Sequence, residues 1–228
     1  MNAIRLLEPS RRASAEYVAK FAQVPVACVS DVMLRTEAAG PRLRPMHAGG
    51  VLCGPAFTVK TRPGDNLLIH KAIDLAQPGD VIVIDAGGEL TNALMGEMML
   101  AYCEKRGFAG VVANGAIRDS AYVKAHAFPV YAAGITHRGP YKNGPGSLNV
   151  PIAIDGMIIE PGDLVIGDED GLVSVPFAML ETVYADASKK AATEARQLDA
   201  ILSGAYGPND RKWVDKAFAE AGYQVVTS

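Results

Sequence analysis

The sequence predicts a mixed α/β fold that ends in a long helix. Between residues 51 and 134, apolar strands alternate with segments of helical spacing, which is the rhythm of βαβ units with parallel strands. After residue 150 the pattern changes to short strands separated by turns, and residues 177–203 then have the spacing of one helix. With 228 residues, of which 49% are apolar, the chain can bury a sizeable core.

The elements of the first part follow in order along the chain. Two short helices are predicted in SAEYVAKFAQV and SDVMLRT, followed by a loop rich in Gly and Pro. A strand, a helix and a strand follow in VLCGPAFTVKTR, DNLLIHKAIDLA and DVIVIDAGG, and an Asp precedes the helix where it can cap it. LTNALMGEMMLAYCEKRG is predicted to be one long helix, AGVVANG a buried strand, SAYVKAHA a short helix and FPVYAAG a further strand.

The later part of the chain predicts hairpins and then helices. Asp155-Gly156 and Asp170-Gly171 each have the composition of a tight turn between two short strands. We expect a single domain over residues 1–205 and a C-terminal helical tail over residues 206–228.

Pro-Gly-Asp occurs at residues 63–65, 78–80 and 161–163. The last two copies directly precede apolar strands, which is the place of a turn. The recurrence therefore indicates a turn device and not a repeat architecture.

Charge and composition exclude several classes of function. The 22 basic and 25 acidic side chains give a net charge of −3, which offers no basic footprint for nucleic acid or an anionic membrane. No run of eighteen apolar residues occurs, and the first residues lack the pattern of a signal peptide. We expect a cytoplasmic protein with a small-molecule substrate.

Cysteines and histidines do not indicate a metal cluster or a disulfide framework. Cys28, Cys53 and Cys103 are odd in number and widely spaced, so they are expected to be small buried hydrophobic residues. The histidines lack H-x-x-x-H and H-E-x-x-H spacing, and the chain has no phosphate-binding G-x-x-x-x-G-K-[ST], no G-x-G-x-x-G and no G-x-S-x-G.

Arg118-Asp119 lies just beyond the end of a predicted buried strand. Open α/β sheets place their ligand sites at such strand ends. Arginine stabilises negative charge that develops on an oxygen, and aspartate holds hard divalent cations such as Mg²⁺. The pair is also compatible with a surface salt bridge, or with a helix-capping Asp beside an incidental Arg.

Gly96-Glu97-Met98-Met99 is a second candidate because exposed N–H groups near a helix start bind carboxylates and phosphates. Gly96 would let an anion approach closely, although Met98 and Met99 are also compatible with ordinary core packing and Gly96 with a packing contact. Three weaker candidate pairs are explained by capping or by a solvated helix face: Ser30-Asp31, Asp65-Asn66 and His70-Lys71.

Four stretches in this order carry a family resemblance: DNLLIHKAIDLAQPGDVIVIDAGG, ALMGEMM, GFAGVVANGAIRDSAYVKAHAFPVYAAG and GPGSLNVPIAIDGMIIEPGDLVIGDEDGLVSVP. Over roughly residues 20–205 the chain resembles the 4-hydroxy-4-methyl-2-oxoglutarate / 4-carboxy-4-hydroxy-2-oxoadipate aldolase family, which is similar in fold to the regulator of ribonuclease activity A. The resemblance implies a swivelling β/β/α-type domain, assembled into homotrimers or homohexamers with the active site between subunits.

The resemblance also implies a class II pyruvate aldolase that depends on a divalent metal, Mg²⁺ or Mn²⁺, and that also decarboxylates oxaloacetate. Asp119 would be the one direct protein ligand of the metal, and Arg118 would stabilise the pyruvate enolate. Glu97 would orient metal-bound water, and Glu194 would come from the adjacent subunit. The backbone amides that would hold the substrate carboxylate belong to Gly96, Met98 and Met99.

The sequence departs from the family after the long helix. Relatives usually continue with a stretch like GELGLD, whereas this chain reads SGAYGPNDRKWVDKAFAEAG. The identity of the aldol substrate therefore stays open, and an aldolase or decarboxylase for another 2-oxo acid is an alternative. A second alternative is a non-catalytic, regulator-like module that binds another protein.

Overall fold

The computed structural model describes residues 5–6 and 11–224, and it confirms the predicted α/β fold class. The strands in this part of the chain are β1 (Arg5–Leu6), β2 (Arg44–Pro45), β3 (Leu52–Thr61), β4 (Val81–Asp85), β5 (Ala93–Met95), β6 (Gly110–Ile117), β7 (Val130–Ile135), β8 (Gly146–Leu148), β9 (Ile152–Ile154), β10 (Met157–Ile159), β11 (Leu164–Gly167) and β12 (Leu172–Val175). The α-helices are α1 (Ala15–Phe21), α2 (Val26–Val32), α3 (Leu67–Leu75), α4 (Glu97–Lys105), α5 (Ser120–Lys124), α6 (Leu180–Leu202) and α7 (Lys212–Glu220).

Four parallel strands form the centre of the main sheet, in the order β3-β4-β6-β7. β8 and β11 pair antiparallel with β3, β1 pairs parallel with β8, and β2 pairs antiparallel with β7. The short strand β5 adds to the end of β6. The parallel strands end at one edge of the sheet, which is where ligands bind in open α/β folds.

The alternation of side chains along the central strands separates two apolar layers. In β4, Ile82 and Ile84 pack with α3, α4 and α5 on one face of the sheet. Val81 and Val83 point to the other face, where they meet the hairpin β9–β10 and residues of β11 and β12. Because both faces are covered, the central strands are apolar at nearly every position, as parallel strands usually are.

The prediction of one long helix from LTNALMGEMMLAYCEKRG is wrong. Ala93–Met95 forms β5, which pairs with the end of β6, and the helix begins only at Glu97. Gly96, between them, has extended backbone angles (φ −150°, ψ −169°). Tertiary pairing with β6 therefore overrides the helical spacing of the residues before Gly96, and it creates a strand-to-helix junction there.

The predicted hairpins and the long helix are confirmed. Asp155-Gly156 joins β9 to β10, and the turn containing Asp170-Gly171 joins β11 to β12. A short 3₁₀ turn at Phe177–Met179 leads into α6. None of the described helices is both long and apolar enough to cross a membrane.

The chain divides into two compact units, Met1–Ala187 and Ser188–Ser228. The second contains the end of α6, a 3₁₀ turn at Pro208–Arg211 and α7, which agrees with the second helical piece predicted for the tail. The domain limits predicted at residues 205 and 206 stay a prediction.

All three cysteines are buried, as predicted, and each lies outside any disulfide. Burial raises the pKa of Cys53 to about 12. It also raises the pKa of Cys103 to about 12. These two thiols therefore stay protonated at neutral pH and behave as small hydrophobic residues.

Candidate active site

The ends of β5 and β6 bring the two sequence candidates together. Met95 and Ile117 are paired in the parallel ladder, and the Arg118 N–H donates to the Met95 carbonyl at 2.9 Å. The residues that follow the two strands, Gly96 and Arg118, are therefore neighbours. The pairing of β5 with β6 builds this junction. The prediction of a single helix did not include that pairing.

Asp119 adopts a left-handed backbone conformation (φ 57°, ψ 42°). This conformation is uncommon for residues other than Gly, but Asp tolerates it better than most, and it recurs at functional sites. Asp119 precedes α5, yet its side chain makes no capping bond to that helix. Its Oδ2 instead accepts a hydrogen bond from the Glu97 N–H, at 3.0 Å, at the positive end of α4.

This contact requires glycine at position 96 because there is no room for a side chain, and not because of the backbone angles. A Cβ at position 96 would overlap Asp119 Oδ2 and would lie 2.8 Å from Arg118 Cγ. The extended backbone of Gly96 is open to any residue, so only the close approach of the two side chains demands glycine.

The Arg118 Nε lies 3.5 Å from Asp119 Oδ2, and the two side chains are 45% and 34% exposed. The two residues thus form a partly solvated ion pair. This agrees with the surface salt bridge that the sequence also allowed. Such pairs contribute little to stability, about 0–1 kcal/mol. Its position beside an open cavity, rather than its strength, makes it a candidate for chemistry.

Two backbone amides beside the pair are open. Within the described residues, the N–H groups of Gly96 and Met98 have no protein acceptor. The Met99 N–H already donates to the Gly96 carbonyl at 3.1 Å. Gly96 and Met98 are therefore better placed to hold an anion than Met99, and the carboxylate-binding roles of all three amides stay predictions.

A cavity of about 360 Å³ opens at this junction. Its volume is within the range of small-molecule sites. The lining includes two cationic side chains, Arg118 and Lys142, and no carboxylate among the described residues. The complete lining is Asn66, His70, Leu94, Met95, Gly96, Met98, Met99, Arg118, Pro140 and Lys142. The cavity is therefore suited to a small anion.

Asn66 and His70 lie on the cavity wall. From the sequence they were explained by helix capping or by a solvated helix face. They are four residues apart at the start of α3, so they share one face of that helix. The Asn66 Nδ2 donates to the Leu94 carbonyl at 3.0 Å and contacts Met99 Sδ at 3.4 Å. Asn66 is 3% exposed, and among the described residues its buried Oδ1 has no hydrogen-bond partner.

Lys142 was missed because it is a single cation in a Gly- and Pro-rich loop without periodicity. Tertiary folding alone brings it to the cavity that Arg118 also lines. The pKa of His70 is lowered, first by burial and then by repulsion from Lys142, while Asp74 opposes the shift. His70 is therefore a neutral imidazole at pH 7, and it protonates only on acidification.

The two glutamates named by the resemblance differ in placement. Glu97 is the first residue of α4, directly beside Asp119, and its side chain is exposed. Glu194 belongs to the second compact unit and forms an ion pair with Lys190 at 2.7 Å. Its contribution to a neighbouring subunit's site stays a prediction.

The donor set is compatible with one Mg²⁺ or Mn²⁺ ion. In the described part of the chain, no three His, Cys, Asp or Glu side chains are grouped as metal ligands. Asp119 offers a partly exposed carboxylate at the strand end, and the missing Cβ of Gly96 leaves room around its Oδ2. Mg²⁺ is often held by one or two carboxylates, with water and substrate as its other ligands.

Comparisons with known proteins place the chain among aldolase- and RraA-like proteins. Residues 26–174 match the family described as "RraA-like: Aldolase/RraA". A protein of Halalkalibacterium halodurans named "Putative 4-hydroxy-4-methyl-2-oxoglutarate aldolase" is 40% identical over 82% of this chain and 89% of its own length.

Two solved structures share the fold. An uncharacterized protein from Pseudomonas syringae pv. tomato has a TM-score of 0.76 and 28% identity, covering 85% of this chain and 95% of that one. RraAS2 of Streptomyces coelicolor, described as an unusual member of the RNase ES inhibitor RraA protein family, has a TM-score of 0.75 and 27% identity. The alignment with RraAS2 covers 83% of this chain and 98% of that one.

We expect Gly96→Ala to displace the Asp119 carboxylate, because the added Cβ overlaps its Oδ2. The affinity of the Gly96→Ala variant for Mn²⁺ should therefore fall at least about tenfold. This affinity is measured from the electron paramagnetic resonance signal of the free ion. The free energy of unfolding should fall by about 1–3 kcal/mol, as for other overpacked sites.

Gly207→Ala is the matched control, because Gly207 is also extended (φ −139°, ψ −171°) and precedes a helical turn. A Cβ there meets nothing within 4 Å, so affinity and stability should both stay at the parent values. Parental Mn²⁺ affinity in Gly96→Ala would show that the Gly96–Asp119 approach does not shape a metal site.

Proposed function

The chain belongs to the RraA-like family, and on that premise we propose that it is a divalent-metal-dependent carbon–carbon lyase. Its substrate is a 4-hydroxy-2-oxo di- or tricarboxylic acid, such as 4-hydroxy-4-methyl-2-oxoglutarate or 4-carboxy-4-hydroxy-2-oxoadipate, which it cleaves to pyruvate and a second 2-oxo acid. One observation carries the proposal: the Arg118–Asp119 pair meets the open amides of the Gly96 junction at the edge of a cavity with cationic side chains.

The residues of the junction bind different groups of the substrate's 2-oxo acid end. The Gly96 and Met98 amides hold the carboxylate, and the Arg118 guanidinium faces the keto oxygen. When the C3–C4 bond breaks, its electron pair forms an enolate, and Arg118 stabilises the charge that develops on that oxygen. Asp119 would hold a divalent cation, which would supply Lewis-acid stabilisation of the same charge.

Two proton movements complete the reaction. An acidic side chain, Glu97 or a neighbouring subunit's Glu194, assists removal of the C4 hydroxyl proton. A proton then reaches C3 and pyruvate is released. Loss of CO₂ from oxaloacetate gives the same enolate, so oxaloacetate decarboxylation should accompany the aldolase reaction.

Lys142 provides the interaction for a second carboxylate. It lines the same cavity as Arg118, and the cavity wall contains no acidic side chain in the described residues. A ligand with two carboxylates would therefore meet a separate cationic group at each end. This arrangement supports a di- or tricarboxylic substrate over pyruvate-sized aldols.

An inhibitory binding role is the second candidate, and the likeness to RraAS2 favours it. A binding module does not require an enolate site, so pyruvate chemistry separates the two functions. As an enzyme, the protein is proposed to act as a homotrimer or homohexamer, with Glu194 completing the adjacent site.

Proton exchange of pyruvate in D₂O tests the proposal without knowledge of the full substrate. We expect the methyl signal in proton NMR to disappear with Mg²⁺ and to persist with EDTA. Arg118→Ala and Asp119→Asn should each slow the exchange about 100- to 1,000-fold, because each removes a group that stabilises the enolate.

Asp155→Asn is the matched control, since Asp155 is another left-handed aspartate (φ 49°) beside an arginine, Arg42, at 3.0 Å. It should exchange pyruvate like the parent. Absence of exchange by the folded, Mg²⁺-loaded parent would contradict the lyase proposal and favour the binding role.

Histidine titration tests the second-carboxylate interaction separately. Because the Lys142 cation helps to lower the pKa of His70, Lys142→Met should raise that pKa. Binding of 2-oxoglutarate to the parent should also raise it, and more than pyruvate does, because only 2-oxoglutarate carries a distal carboxylate. The His70 ring signal, assigned with His70→Gln, would be followed against pH by NMR. Equal effects of the two ligands would contradict the role of Lys142.

A further inference from the structure

The three Pro-Gly-Asp turns are alike in sequence but differ in what their aspartates hold. Asp65, Asp80 and Asp163 are 0%, 4% and 2% exposed. Asp80 accepts from the Gln77 N–H at 2.7 Å and pairs with Arg12. Asp163 accepts from the N–H groups of Glu160 and Phe177, both at 2.9 Å, and lies 4.0 Å from Arg11. Both close their own turn and have a cation nearby.

Asp65 differs from the other two in its partners. Its Oδ1 accepts from the Leu67 N–H at 2.9 Å, at the start of α3. Its Oδ2 accepts from the N–H groups of Asn143 and Gly144, at 2.7 and 2.9 Å. Within the described residues it has no salt bridge. Three charge-assisted bonds to backbone N–H groups therefore stabilise this buried carboxylate.

Further hydrogen bonds join the same two segments. The Tyr141 N–H donates to the Gly64 carbonyl at 2.8 Å, and the Asn66 N–H donates to the Tyr141 carbonyl at 3.0 Å. Lys142 lies between Tyr141 and Asn143, so the backbone is held on both sides of it. Asn66, on the other segment, is one of the residues that line the cavity.

We propose that Asp65 is a positioning residue that sets the distance between Lys142 and the α3 side of the cavity, and thereby the preference for ligands with a second carboxylate. The inference rests on the proposed function for its ligand class. Asp65 acts through the backbone and does not touch the ligand. A neutral amide has one acceptor oxygen, so it would turn its NH₂ group either against the Leu67 N–H or against those of Asn143 and Gly144. In either orientation the side chain no longer joins the start of α3 to the segment that carries Lys142.

The test uses Asp65→Asn in the full chain, with pyruvate exchange as the assay and 2-oxoglutarate as the competing probe. We expect the inhibition constant of 2-oxoglutarate to rise about tenfold more than the KM of pyruvate, because a small displacement of Lys142 affects only the ligand with a distal carboxylate. Asp65→Ser, whose hydroxyl still accepts one N–H, should show the same selective loss and serves if the Asn variant does not fold.

Asp163→Asn is the matched control, since it alters an equally buried Pro-Gly-Asp aspartate that holds no cavity residue. It should lower stability without changing the ratio of the two constants. Equal rises of both constants in the Asp65 variants, or no rise in either, would overturn the positioning role.

A second readout separates this inference from the lyase proposal. The effect of Lys142→Met on the titration of His70 can be measured by NMR whether or not the parent exchanges pyruvate. In an Asp65→Asn background that effect should shrink, because Lys142 is no longer held near His70. An undiminished effect would overturn the inference, even in a catalytically active protein. If the parent fails to exchange pyruvate, but Lys142→Met affects the His70 titration less in the Asp65→Asn background, only the lyase proposal is contradicted.

Discussion

The approach of Asp119 to the start of α4 is the constraint on which the site depends. The Asp119 Oδ2 lies 3.0 Å from the Glu97 amide nitrogen, in space that any side chain at position 96 would fill. The left-handed backbone of Asp119 turns its carboxylate back toward that amide. Arg118 is brought to the same place by its hydrogen bond to Met95. A cation, a carboxylate and open amides thus share one strand-to-helix junction.

The central sheet positions this junction. β5 pairs with the end of β6, at the edge of the sheet where the central parallel strands end. Apolar layers cover both faces of those strands. The cavity wall also includes residues at the start of α3 and Lys142, and Asp65 joins the two segments that carry them. Arg118 and Lys142 therefore line the same cavity.

Much of this could be predicted from local sequence, and what could not depends on distant contacts. Strand and helix periods gave the α/β class, and Asp-Gly pairs gave both hairpins. Ala93–Met95 was misassigned because pairing with β6, and not its own spacing, decides its structure. Arg118 and Asp119 stood out by their place after a strand, whereas Lys142 has no local signal, and Asn66 and His70 resemble ordinary helix-start residues until the cavity is seen.

A crystal structure with Mn²⁺ and oxalate, which resembles the pyruvate enolate, would show whether metal and carboxylate bind at this junction. We expect an anomalous peak about 2.0–2.3 Å from an Asp119 carboxylate oxygen. We also expect oxalate beside Arg118, with one carboxylate on the Gly96 and Met98 amides. Mn²⁺ bound elsewhere, or oxalate bound away from these amides in fully occupied crystals, would contradict this expectation.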